Sequence, residues 1–363
     1  MTKVSHCNNR NIISASQPQS CQSQVTSRHF TTTATATRPT RPLLLEAKKT
    51  EMIADRIQIL LSQENSSSYA VRNYLQGRCR PGQHNPSSSG PVDATCRLKM
   101  VDWLYAIVDT CQLRRSAVPI AMTYVDRLLS NPLTYDQRSS ALANILQDRN
   151  MYQLIVMTCL YTAVKLHEQQ IISPELLSRL SLGRYSIQDI EAAELAVLTL
   201  LGWKVSGPTA LDFVDHILAM NDDDASSSSM DESATRDTIA ILARMQAELS
   251  VADQSLVSVP YSTVAVACIR NAMDEINYPS SASDLQRLCS VMNVGTFSSE
   301  VDDVCAHLKQ MTRDSANGAV LSRLSSELVC TVPSSKVPKK PTLKREISSP
   351  TSVSRLSVST DRM

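Results

Sequence analysis

Residues 151–166 constrain the fold most, because this stretch is apolar around nearly its whole circumference. Within it the run 154–164 is interrupted only by Thr158 and Thr162. A surface helix keeps one polar face, so a helix that is apolar on every side has to be enclosed by neighbours. The run is also too short to cross a bilayer, which takes about 20 residues. A bundle of helices around a buried central one is the expected result. Composition agrees: eight glycines and three phenylalanines in 363 residues are few for a chain of strands and hairpins.

Turn and cap signals divide the chain around that centre. Ser116 with Pro119, Asn131-Pro132 and Ser173-Pro174 mark helix starts and stops. Helices are expected near 95–112, 115–130, 150–168, 173–181 and 187–201, and Pro208 opens a second block near 208–220, 235–250, 260–276, 282–292 and 299–311. Upstream, Leu43 to Leu45 and then Ile53, Ile57, Ile59, Leu60 and Leu61 suit one helical face over 43–62, with a second short helix over 69–76. The expected fold is all-α, with two tandem five-helix repeats. Its divisions are a disordered tail over 1–42, a helix and linker over 43–94, a first repeat over 95–205, a second over 206–312, and a disordered tail over 313–363. Residues 222–233, acidic and serine-rich, form a loop that buries nothing.

Several function classes lose support on simple grounds. A net charge of +1 offers no electrostatic case for nucleic acid or membrane as the main partner. The ten cysteines include no Cys-x-x-Cys pair, and those at 111, 159 and 268 lie in apolar helical runs. Free thiols in a reduced compartment, with no metal, are the expectation. No Gly-rich phosphate loop, His-Glu-x-x-His or Gly-x-Ser-x-Gly occurs, so no catalytic residues and no cofactor are assigned.

Four blocks point to a family. Arg-Leu-Lys-Met-Val-Asp-Trp-Leu at 97–104 resembles the opening helix of a cyclin box. Tyr124-Val125-Asp126-Arg127-Leu128-Leu129, Ala163-Val164-Lys165-Leu166-His167-Glu168 and the stretch from Glu191 to Trp203 follow at the intervals of the next cyclin helices. The likeness is strongest over 95–220 and looser over 50–310. Leu201-Gly202-Trp203 followed by 208–218 is similar to the junction in cell-cycle cyclins of the D and A groups, although no Leu-x-Cys-x-Glu motif is present. The resemblance implies a non-enzymatic regulatory subunit that binds and activates a cyclin-dependent kinase, in the nucleus, the cytoplasm or both.

It also implies roles for particular residues. Lys165 and Glu194 match the lysine and glutamate that face the kinase together, a long cation leaving an apolar helix beside an acceptor-only carboxylate. Leu166, Glu168, Ala163 and Leu198 would supply the surrounding contacts. Leu166 stands where the family commonly has an aromatic residue, and His167 where it has an acid. Met100, Trp103 and Gln153 match an exposed patch that docks Arg-x-Leu peptides of substrates or inhibitors. Lys99 replaces an apolar member of that patch, and a cation there repels a basic ligand. Arg97 and Asp126 would form a buried structural ion pair. Residues 336–345 are basic enough for nuclear import, and Ser349-Pro350 suits proline-directed phosphorylation. The competing readings are a transcriptional cyclin and a cyclin-fold adaptor of the general initiation type. The adaptor calls for a basic face and often a zinc ribbon, and the chain has neither an excess of charge nor paired cysteines.

Overall fold

The computed structural model describes residues 41–75, 91–131, 145–220, 230–278, 285–286 and 298–317. Among them the chain forms ten helices and no strand: α1 (Arg41–Glu64), α2 (Ala94–Thr110), α3 (Ala117–Ser130), α4 (Arg149–His167), α5 (Pro174–Leu180), α6 (Ile187–Leu200), α7 (Ala210–Ala219), α8 (Met230–Ser250), α9 (Tyr261–Glu275) and α10 (Ser299–Asn317). The all-α, two-repeat fold read from the sequence is the fold observed.

The apolar segment becomes α4, buried from Tyr152 to Val164 and packed by α2, α3, α5 and α6. Its threonines stay inside by bonding within the helix: Thr162 donates its hydroxyl to the Thr158 carbonyl at 3.0 Å. The second repeat copies the plan with α9, whose face from Ser262 to Met273 is enclosed by α7, α8 and α10. Each repeat therefore has its own apolar core.

Local chemistry sets the helix starts. Ser186 and Asp189 cap α6 reciprocally, as Thr209 and Asp212 cap α7, so both helices open with their orphan N–H groups satisfied. Ser173 caps α5 with Pro174 in its first turn, where a missing N–H costs nothing. Pro260 cannot cap α9. Glu64, at the end of α1, supplies the acceptor from afar, taking hydrogen bonds from Ser262 N–H (3.0 Å) and the Ser262 hydroxyl (2.6 Å). The first helix thus belongs to the second repeat, with Ile57 and Leu60 in its core.

Three expectations need correction. Residues 69–75 are not helical. The strip lies along α3, where Arg72 N–H donates to Ser130 Oγ at 2.8 Å and Tyr74 donates to Asp126 at 2.7 Å; these tertiary bonds outbid a short helix that could not nucleate by itself. α8 begins at Met230, inside the stretch read as a loop. α1 starts at Arg41 and α10 runs to Asn317, each reaching into a segment read as tail. Residues 1–40, 318–363 and nearly all of the expected helix over 282–292 lie outside the described residues.

The repeats are bonded to each other as well as packed. Arg97 Nε donates to the Val251 carbonyl at 3.0 Å, and Arg115 Nε to Glu248 at 2.8 Å. Tyr105, on α2, likewise donates its hydroxyl to the Glu248 carbonyl at 3.2 Å. Val257, from the α8–α9 connection, is counted in the first core.

Candidate functional site

Where α4 reaches the surface, its last turn carries polar and exposed side chains. Lys165 reaches across to α6, placing Nζ 3.1 and 3.2 Å from the two carboxylate oxygens of Glu194. The ammonium also stands 5.3 Å from the Tyr161 ring centroid. Glu194's hydrogen bonds raise the Lys165 pKa, so the cation is held charged. Lys165 keeps 47% of its side chain exposed and Glu194 14%.

This pair sits in apolar surroundings that water covers. α6 buries Ile190, Ala193 and Val197, which leaves Glu191, Glu194, Leu195 and Leu198 on another face at the three- and four-residue spacings that make helix neighbours. Leu195 is 60% exposed, Leu166 49%, and Leu198 is half-buried. Leu195 was missed in the sequence. Its signal was an apolar residue out of step with the buried register 190, 193, 197.

The other expected contact residues fare differently. Glu168 is occupied at home: Arg114 Nε donates to it at 2.9 Å while another Arg114 nitrogen donates to the His167 carbonyl. That brace fixes the end of α4 against the loop before α3. Ala163 is fully buried. It follows the α4 face directed at the core, one turn before the helix emerges, so it supports the surface from beneath and cannot touch a partner.

Met100, Trp103 and Gln153 all lie in the interior. Met100 is fully buried, Gln153 is 1% exposed and Trp103 7%. Cys96, Met100, Trp103, Leu104 and Ile107 form the inward stripe of α2, so the spacing that suggested a patch is the spacing of a core face. Gln153 accepts from the Tyr185 hydroxyl at 3.2 Å. An open docking patch at these three residues is therefore not what this structure has.

Arg97 and Asp126 form a two-pronged buried pair, with Nη1 to Oδ1 at 2.5 Å and Nη2 to Oδ2 at 2.9 Å. Tyr74 adds a hydrogen bond to Asp126 and accepts one from Arg97 at 2.9 Å. Burial works against the Arg97 charge, but Asp126 more than compensates, so the Arg97 pKa is raised.

Among the described residues no cluster of three His, Cys, Asp or Glu could hold a metal, and no helix is long and apolar enough to cross a membrane. Cys96, Cys111, Cys159, Cys268 and Cys305 are free. Burial pushes the Cys96 and Cys305 thiols up to about 11, away from the reactive thiolate.

Comparison with known proteins follows the two repeats. Residues 67–206 match the family described as "Cyclin, N-terminal domain" and residues 208–335 match "Cyclin, C-terminal domain". The chain is 27% identical over 187 residues to Cyclin-D of Ostreococcus tauri, covering 48% of this chain and 46% of that one. Identity to G1/S-specific cyclin-D1 of Mus musculus is 25% over 177 residues, 48% of this chain and 52% of the relative. To S-phase entry cyclin-6 of Saccharomyces cerevisiae it is 27% over 126 residues, 35% and 30% of the two chains. The chain spans about half the length of the first curated relatives it matches.

Proposed function

Because this chain belongs to the cyclin family, we propose that it is the regulatory, non-catalytic subunit of a cyclin-dependent protein kinase in cell-cycle control. The observation that carries the reading is the Lys165–Glu194 pair, whose lysine is half open to solvent and which is flanked by exposed Leu166 and Leu195. An ion pair left on the surface contributes about 0–1 kcal/mol to folding, too little to explain its placement by stability. Covered by a partner, the same groups make charge-assisted bonds in a drier medium, and losing one side of such a contact costs about 2–5 kcal/mol.

The mechanism is a population shift. Lys165 supplies donors and Glu194 an acceptor to polar groups near the kinase's regulatory helix, while Leu166, Leu195 and Leu198 cover its apolar face. A surface that fits the active arrangement better than the inactive one moves the kinase towards activity by the difference in affinity, with no chemistry of its own. The Arg114 brace fixes the end of α4, while the Arg97–Asp126 pair ties α2 to α3.

Capture of the tagged full chain from cells, followed by identification of bound kinases, tests the reading. The wild type is expected to retain a cyclin-dependent kinase, and Lys165→Ala/Glu194→Ala to lose it. A wild type that retains no such kinase sinks the proposal; equal retention by both proteins removes the assigned surface.

A further inference from the structure

Arg127 is a buried arginine whose countercharge is missing. Other enclosed arginines have theirs: Arg97 has Asp126, Arg115 has Asp109 and Glu248, and Arg149 has Asp93. Arg127 is 7% exposed, and among the described residues no carboxylate pairs with it. Its Nη1 donates to the Lys204 carbonyl at 2.6 Å, its guanidinium lies 4.4 Å over the Tyr69 ring, and its Nε has no acceptor. Burial lowers its pKa, as expected for a cation that nothing neutralises. The position is built: a Cβ on Gly207 would stand 3.2 Å from Tyr69 Cδ1, so glycine there lets the tyrosine pack beneath the guanidinium.

Arg127 opens onto a cleft of about 340 Å³ between the strip after α1, the end of α3 and the end of α6. Arg72 and Lys204 also line it, together with Ser67, Ser68 and Ser130, and among the described residues no acidic side chain does. Lys204 Nζ donates to Ser68 Oγ at 2.6 Å, and Ser130 ties to Arg72 through both its N–H and its carbonyl, so the walls are fixed to one another. Three cations and several hydroxyls with no acid suit a dianion with several acceptor oxygens. Beside the cleft, between Gly202 and Lys204, Trp203 is 64% exposed and held at φ +61° by its N–H bond to the Leu198 carbonyl at 2.9 Å. An exposed tryptophan next to an anion site offers a second contact that a free ion cannot use and a peptide can.

We propose that this cleft binds the phosphoryl group of a phosphorylated serine or threonine in a peptide segment, with Arg72, Arg127 and Lys204 on the oxygens and Trp203 on a flanking side chain. The proposal goes beyond the kinase-regulating surface and uses different residues.

The test titrates the full chain, without kinase, with three probes followed by calorimetry and tryptophan emission. These are an acetylated pentapeptide with phosphoserine between two leucines, its unphosphorylated twin, and inorganic phosphate. The phosphopeptide is expected to saturate and to bind at least about tenfold more tightly than either other probe, since two or three charge-assisted bonds and an apolar contact are gained. Arg72→Ala and Lys204→Ala, both at exposed positions, are expected to weaken it by about tenfold each with the melting temperature unchanged. Trp203→Ala should weaken the peptide and leave inorganic phosphate alone. Equal affinity for phosphopeptide and inorganic phosphate would overturn the peptide assignment in favour of a free anion. Equal binding of the two peptides, or none, would overturn the site.

Discussion

Asp126 accepts three hydrogen bonds inside the protein, two from Arg97 and one from Tyr74, and its worth lies in what its removal would strand. Truncation leaves the Arg97 charge buried and uncompensated, so Asp126→Ala is expected to cost about 3–5 kcal/mol, read as a lower urea midpoint at unchanged slope. Lys165→Ala lies at the other extreme. Its ammonium is half in water, so the midpoint should move by under about 1 kcal/mol, and any loss of function in that variant is then a loss of contact. Asp253 gives a pH signature. Burial raises its carboxyl, but hydrogen bonds from Ser255 and His307 outweigh this and leave it below the usual carboxylate range. A depressed folded pKa stabilises fully above the unfolded value of about 3.9 and is lost as pH falls through the folded one. The melting-temperature gap between wild type and Asp253→Asn should be present at about pH 5 and close below about pH 4; a gap that instead widens below about pH 4 refutes the assignment.

Among the elements, α1 was visible in the sequence but its place was not. Its apolar face was legible; that the face packs on the second repeat and that Glu64 caps α9 depend on a contact 198 residues along the chain, which no local pattern encodes. Glu64→Ala should cost about 1 kcal/mol and raise amide exchange in the first turn of α9, and unchanged exchange there would remove the capping role. α4 was the most legible element, because burial on all sides leaves its mark on every residue. The strip 69–75 was misread because tertiary bonds to Ser130 and Asp126 decide its shape. In the candidate site, Lys165 and Glu194 were reachable through the resemblance, and the structure adds that they meet. Ala163 and the Met100–Trp103 stripe were assigned to surfaces although they are core, since one helical periodicity serves both.

Taken as a whole, the molecule joins its repeats through side chains that cross between cores, such as Arg97 to Val251 and Arg115 to Glu248, and through Val257 in the first core. Coupling of this kind predicts one cooperative transition. Tryptophan emission, which reports the first repeat through Trp103, and far-ultraviolet dichroism, which reports both, should give the same urea midpoint; two separated midpoints would show the repeats to be independent. The joined frame matters to the proposal because α4 and α6 would then meet a kinase as one surface. The most direct measurement is histone phosphorylation by a purified cyclin-dependent kinase mixed with an equal amount of wild type or of Lys165→Ala/Glu194→Ala. The account predicts activation by the wild type and under about one-tenth of it by the double variant at limiting concentration, with matching urea midpoints. Equal activation by both proteins, or none by the wild type with every kinase of this class, would contradict it.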